Sequence, residues 1–190
     1  MIAAPTGCRL VFGEGRETCM TQREKEIEGR ILARLNDGSA QLEIQNSTSD
    51  AKSLAALLGQ HRPAVLPDTS AWNLHPNFMQ DVIGGMIPDI VLRSTLSGQN
   101  RISIEVKDTK RLGYGIEDSQ IARYFLHLLA TTTRGPKGGK DIRRAVLLCA
   151  PAAWFKVRAN ARTWNHFLGC FSGLATAFDI TLGELNADSI

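Results

Sequence analysis

Seven residues, Arg101-Ile102-Ser103-Ile104-Glu105-Val106-Lys107, alternate strictly between polar and apolar. A strand sends successive side chains to opposite faces, so Ile102, Ile104 and Val106 share one face and Ser103, Glu105 and Lys107 the other. Glu105 and Lys107 end the polar face as neighbours about 6–7 Å apart. Upstream, Ile87-Pro88-Asp89-Ile90-Val91-Leu92 is apolar and β-rich, and Ser97-Gly98-Gln99-Asn100 reads as a turn. With the hairpin pivoting between Gly98 and Gln99, paired positions sum to about 197. Asp89 then falls opposite Asp108, beside Lys107 and near Glu105. Two carboxylates and one ammonium at the open end of a hairpin suit metal-dependent phosphodiester hydrolysis. Two oxygen ligands hold a hard cation such as Mg²⁺, whose bound water is more easily deprotonated, and a nearby lysine positions that water or stabilises developing charge. A Glu-x-Lys pair alone is more often a solvated ion pair worth under about 1 kcal/mol. Its combination with Asp89 in one hairpin gives the pattern meaning.

The elements that must carry these residues are legible on both sides. Thr21-Gln22-Arg23-Glu24 fits a capping box, Ile27, Ile31 and Leu35 then form one helical stripe, and Asn36-Asp37-Gly38 stops it. Residues 40–44 alternate like a strand, and 53–58 read as a short helix. Pro63, Pro67 and Pro76 break residues 60–80 into irregular chain. A helix is expected over 119–130, with Ile121, Phe125, Leu128 and Leu129 inward. Ala145 to Ala150 is a continuous apolar run, as in a strand buried on both faces. An amphipathic helix over 162–177 and a closing strand over 178–182 complete the order. This predicts a single α/β domain over 1–190, a mixed central sheet flanked by helices. Residues 37–80 are an insertion, with Trp72, His75 and Phe78, that reads as a lid or a dimer surface. Asp81 reads as a loop residue. Trp154, Trp164, Phe167 and Phe171 read as core or as an oligomer surface.

Pro88-Asp89, fifteen intervening positions, then Glu105-Val106-Lys107 resembles the signature of the PD-(D/E)XK nuclease superfamily, which includes restriction endonucleases, Holliday-junction resolvases and RecB-type exonucleases. The resemblance covers roughly residues 21–150 and implies a restriction endonuclease-like core. It implies Asp89 and Glu105 as ligands to Mg²⁺, with Mn²⁺ substituting, the Val106 carbonyl as a third ligand, and Lys107 as the catalytic lysine. Members often carry an acid on the opening helix. Glu28 within Glu28-Gly29-Arg30-Ile31-Leu32 is similar to that position, and Glu24, one turn earlier, is its rival. Gln120-Ile121-Ala122-Arg123-Tyr124 resembles the Gln-x-x-x-Tyr motif of the RecB-type branch; at i and i+4 both side chains point the same way from one helix. The implied activity is a deoxyribonuclease serving repair, recombination or defence against foreign DNA. The alternative is a catalytically inactive module that binds nucleic acid or assembles with a larger protein.

Composition bounds these readings. The 190 residues are 43% hydrophobic and 22% charged, which excludes disordered, collagen-like and coiled-coil chains. A formal charge of +3 permits a polyanionic partner without demanding one. Arg134, Lys137, Lys140, Arg143 and Arg144 lie on a Gly-rich segment that can fold onto phosphates, and Lys110 and Arg111 extend that track. Its Gly-Gly-Lys is followed by Asp141, so it is not a P-loop. The stem of Arg143 or Arg144 can instead pack along the sheet edge. Cys8, Cys19, Cys149 and Cys170 lack CxxC spacing and read as buried reduced thiols. No signal peptide or membrane span is legible, so a cytoplasmic protein is expected, with DNA as partner and a homodimer or a larger motor or defence assembly as its setting.

Overall fold

The structure, a computed structural model, describes residues 21–39, 41–58, 88–93, 100–108, 120–131 and 144–190. Helix α1 (Gln22–Asn36) begins where its capping chemistry requires. Thr21 Oγ1 accepts from the Glu24 N–H at 3.1 Å, and Glu24 Oε2 accepts from the Thr21 N–H at 2.7 Å. The helix ends as Gly38 turns to φ 83°, a conformation that favours glycine. Ile27, Ile31 and Leu35 are buried as expected.

Strand β1 (Ile44–Gln45) and the short helix α2 (Leu54–Leu58) follow. The antiparallel pair that carries Glu105 comprises β2 (Ile90–Arg93) and β3 (Asn100–Val106). Helix α3 (Gln120–Thr131) then leads to strand β4 (Arg144–Ala150). Two helices, α4 (Ala152–Lys156) and α5 (Arg158–Ala177), precede β5 (Ile180–Asn186) and a closing 3₁₀ turn. The five strands form one mixed sheet in the order β1-β5-β4-β3-β2. β3, β4 and β5 run parallel, while β1 and β2 are antiparallel edges. Parallel neighbours need crossovers, which α3 and the α4–α5 segment provide.

Both faces of the sheet are covered. Ile102, Ile104, Val106, Ala145 and Leu147 pack with α1 and α2, while Val146, Leu148, Ile180 and Leu182 pack with α3 and α5. The second face holds Trp154, Trp164 and Phe167 in the core, with Phe171 packed against it. The expected α/β class and mixed sheet are therefore present.

Several boundaries differ from expectation. The hairpin register sums to 194 (Ile90 with Ile104, Leu92 with Ile102) and slips again between Leu92 and Arg93. Continued by one residue, this register sets Asp89 opposite Glu105, not Asp108, because the pairing is centred near residue 97, before the expected Gly98–Gln99 pivot. The last helix starts at Arg158 rather than 162, after an unexpected α4. The closing strand starts at Ile180 rather than 178 because Phe178 and Asp179 (φ 52°) form the turn that ends α5, and it runs to Asn186 in register with Ala150 of β4. Cys149 is buried, but Cys170 is exposed on α5, against the expectation for all four thiols; Cys8 and Cys19 lie outside the described residues.

Gly183 shows why β5 must be bare at its centre. A Cβ there would lie 2.4 Å from Ile44 Cγ2 and 3.5 Å from Leu147 Cδ2. Ile44 is buried and stiff at χ1, so β1 itself would have to move. Gly183→Ala should destabilise by about 1–3 kcal/mol, the usual range for overpacking. Denaturant titration should show a lower midpoint with an unchanged slope; an unchanged midpoint would mean that β1 gives way freely.

Candidate functional site

The sheet gathers the chemistry-bearing residues at the carboxyl ends of its parallel strands, where open α/β sheets commonly bind ligands. Val106 pairs with Cys149 at that edge, and the Lys107 N–H donates to the Cys149 carbonyl at 2.8 Å. Asp89, just before β2, is tied to the same spot: its Oδ2 accepts from the Val106 N–H at 2.7 Å. Glu105 points to the α3 face, beneath Tyr124. Its Oε2 accepts from the Tyr124 hydroxyl at 2.9 Å, and its Oε1 accepts from Lys107 Nζ. Lys107 therefore curls back along β3 onto Glu105, as alternation on one face requires.

The polar face of β3 is as dry as the apolar one. Ser103 and Glu105 are 0% and 1% exposed, and Lys107 is 8% exposed, so this is not a solvated Glu-x-Lys pair. Charge in such surroundings perturbs ionisation strongly. Burial raises the Asp89 carboxyl well above its ordinary value, and Glu105 raises it further, against the Val106 N–H and Lys107. Burial likewise raises Glu105, with Lys107 and Tyr124 opposing. For Lys107, burial disfavours the ammonium, yet Glu105, Asp89 and Glu24 outweigh it and hold the group protonated. The Tyr124 hydroxyl is pushed up by burial and then by the two carboxylates, so it stays a donor.

Glu24 is the acid of α1 that reaches this cluster. It is 2% exposed, and its charge acts on Asp89, Glu105 and Lys107. Its Oε1 also accepts from the Asp108 N–H at 3.4 Å, so one capping carboxylate joins the start of α1 to the end of β3. Asp108 itself pairs with Arg23 at 3.4 Å. Glu28 sits half-buried one turn further on; burial raises its carboxyl, and Lys25 opposes the shift. The distinguishing signal was present in the sequence. Glu24 lies in line with the Ile27, Ile31 and Leu35 stripe, whereas Glu28 lies at its rim.

Among the described residues, no group of three or more His, Cys, Asp or Glu side chains is close enough to form one ligand set. Asp89 and Glu105 supply hard carboxylate oxygens side by side, a donor chemistry that fits Mg²⁺ or Mn²⁺ and not a soft metal. The side chain of Gln120, and residues Lys110, Arg111, Arg134, Lys137, Lys140 and Arg143, lie outside the described residues. Arg144 is described, and its guanidinium donates to the Phe178 carbonyl, closing the end of α5. Burial lowers its pKa, and Asp179 opposes that.

A third buried acid, Glu184, carried no signal in the sequence. It shares the row of Glu105 and Leu148 on one face and accepts from Asn46 Nδ2 at 2.9 Å and from Trp164 Nε1. These bonds tie β1 and α5 to β5, a structural task.

Comparison of the chain with protein-family models, with curated proteins and with solved structures finds no match. Among the described residues, no helix is long and apolar enough to cross a membrane.

Proposed function

We propose that the protein is a metal-dependent nuclease of PD-(D/E)XK type that hydrolyses phosphodiester bonds in DNA. One observation carries this reading: Asp89, Glu105 and Lys107, spaced as in that signature, converge at the carboxyl end of β3, with Tyr124 on Glu105. Asp89 and Glu105, with the Val106 carbonyl, would hold the cation. When bound, Mg²⁺ polarises the phosphate and makes a bound water a better nucleophile at neutral pH. The protein's own part is positional. The Val106 amide fixes Asp89, and Tyr124 fixes one oxygen of Glu105. Lys107 carries a permanent positive charge beside both, placed to stabilise the negative charge that grows on the phosphate oxygens.

The saturation of Glu105 by Lys107 and Tyr124 favours one other reading, a nuclease-fold module that binds nucleic acid without cleaving it. The two separate in one assay. Supercoiled plasmid, linear duplex, single-stranded and branched DNA are each incubated with Mg²⁺, Mn²⁺ or EDTA. Cleavage of at least one substrate that EDTA abolishes is the expected result. Binding without cleavage under every metal would support the inactive module and sink the nuclease.

A further inference from the structure

β4 ends at Ala150 beside Val106 and Lys107, and the chain runs on directly into α4 and α5. The first of these helices therefore begins at the edge of the sheet that holds Glu105, and α5 follows it after Val157 alone. From Pro151 to Phe178 the sequence carries Lys156, Arg158 and Arg162 and no Asp or Glu at all. All three cations are exposed, and among the described residues none has a carboxylate within ion-pair reach.

Their order on the helix is regular. Arg158, Arg162 and the exposed His166 recur every four residues, forming one ridge with steps of about 6 Å. Gly169 and Gly173 continue that exposed face without side chains, and a Cβ at either would meet nothing within 4 Å. The ridge is about 12 Å long from Arg158 to His166, too extended for a single phosphate.

Helix stability does not account for this arrangement. The first turn of a helix repels cations by about 0.3–1 kcal/mol through the macrodipole. Here that turn carries Arg158, no acidic residue, and Val157 at the cap position with no side-chain bond. Residues that break a local rule without local compensation tend to mark function.

We propose that the exposed face of α4 and the first half of α5, with Lys156, Arg158 and Arg162, is the track along which the DNA backbone lies as it enters the Asp89–Glu105 site. The inference rests on the nuclease reading for its partner, but it stands or falls on binding alone. Phosphate contacts fix the register of the duplex and carry no base information, so the track is sequence-independent.

The test compares the full-length wild type with Lys156→Gln/Arg158→Gln/Arg162→Gln in EDTA, where no cleavage occurs. Fluorescence anisotropy with two unrelated labelled duplexes is read from about 50 to 200 mM salt. The triple variant should flatten the slope of log affinity against log salt by about 2–3, at 0.7–0.9 per phosphate contact. Affinity should fall equally on both duplexes, and the melting temperature should be unchanged or higher, since cations leave a helix start. A wild-type slope in a folded triple variant overturns the track and leaves the nuclease untouched. Absence of any DNA binding by the wild type also overturns it. So does a variant that keeps DNA affinity while losing binding to phosphatidylserine vesicles, which would make the face a membrane contact. Cleavage by the wild type with Mg²⁺ reports separately on the nuclease reading.

Discussion

Asp89→Asn is expected to abolish metal-dependent cleavage and at the same time to make the protein more stable. The activity loss should exceed about 100-fold, since replacing even an outer-shell partner of a metal ligand can cost that much. The stability gain follows from what the amide keeps and what it removes. The carbonyl oxygen of Asn can still accept from the Val106 N–H, the bond that Asp89 Oδ2 makes at 2.7 Å. What disappears is a carboxylate that burial and Glu105 both disfavour. A gain on the order of 1 kcal/mol would raise Tm by about 2–4 °C in a chain of this size. Mg²⁺ should raise the Tm of the wild type, because a ligand that binds only the native state stabilises it, and should leave Asp89→Asn unmoved. A variant that cleaves like the wild type would sink the site, and one that merely unfolds would sink the electrostatic account.

The same carboxyls set the pH profile of the metal-free protein. Asp89 and Glu105 have folded-state values raised above 3.8 and 4.5, so the native state binds protons more tightly than the unfolded chain. Their contribution to stability is full below those ordinary values and is lost as pH rises through the elevated ones. Asp89→Asn should flatten this decline, because one of the two carboxyls no longer titrates.

How much of this was legible in the sequence differs from element to element. The capping box fixed the start of α1, since Thr21 and Glu24 satisfy each other within four residues and need no tertiary partner. Alternation placed Ile102, Ile104 and Val106 on one face and Glu105 on the other, because period 2 is a property of the strand alone. The hairpin register was not legible to within a residue. It depends on where the pairing is centred, and Leu92 opposite Ile102 puts that before the Gly98–Gln99 pivot that the turn-forming residue types suggest. The burial of Ser103 and Glu105 was hidden for another reason. A polar strand face reads as solvent-facing until a helix such as α3 is seen to cover it.

The acid on α1 is a matter of helix rotation. Both Glu24 and Glu28 suited the family pattern, and only the position of each relative to the Ile27 and Ile31 stripe decides which one enters the core. Glu184 carried no comparable signal. Its neighbours in β5 are apolar, and its partners Asn46 and Trp164 come from distant parts of the chain. A carboxylate inside an apolar strand requires buried donors, but the sequence does not say which.

Lys107→Ala is expected to fail in two ways that Ser103→Ala does not. Turnover should fall about 10²–10³-fold, the usual cost of removing one group that stabilises transition-state charge. Substrate affinity should change little, because that role lies in the transition state. Stability should fall too, by about 3–5 kcal/mol, since Glu105 would remain 1% exposed without its counter-ion and beside Asp89 and Glu24. Removing both charges in Glu105→Gln/Lys107→Met should recover most of that stability and none of the activity, which a double-mutant cycle would read as strong coupling. Ser103 is the control on the same face, two residues before Glu105 and four before Lys107. Its hydroxyl is fully buried and finds no hydrogen-bond partner among the described residues. Losing an unsatisfied hydroxyl relieves a desolvation cost, so Ser103→Ala should be neutral or stabilising and should leave turnover intact. Equal behaviour of the two alanine variants in turnover and in denaturant midpoint would mean that Lys107 is one more buried polar group on this strand and not part of the chemistry at its end.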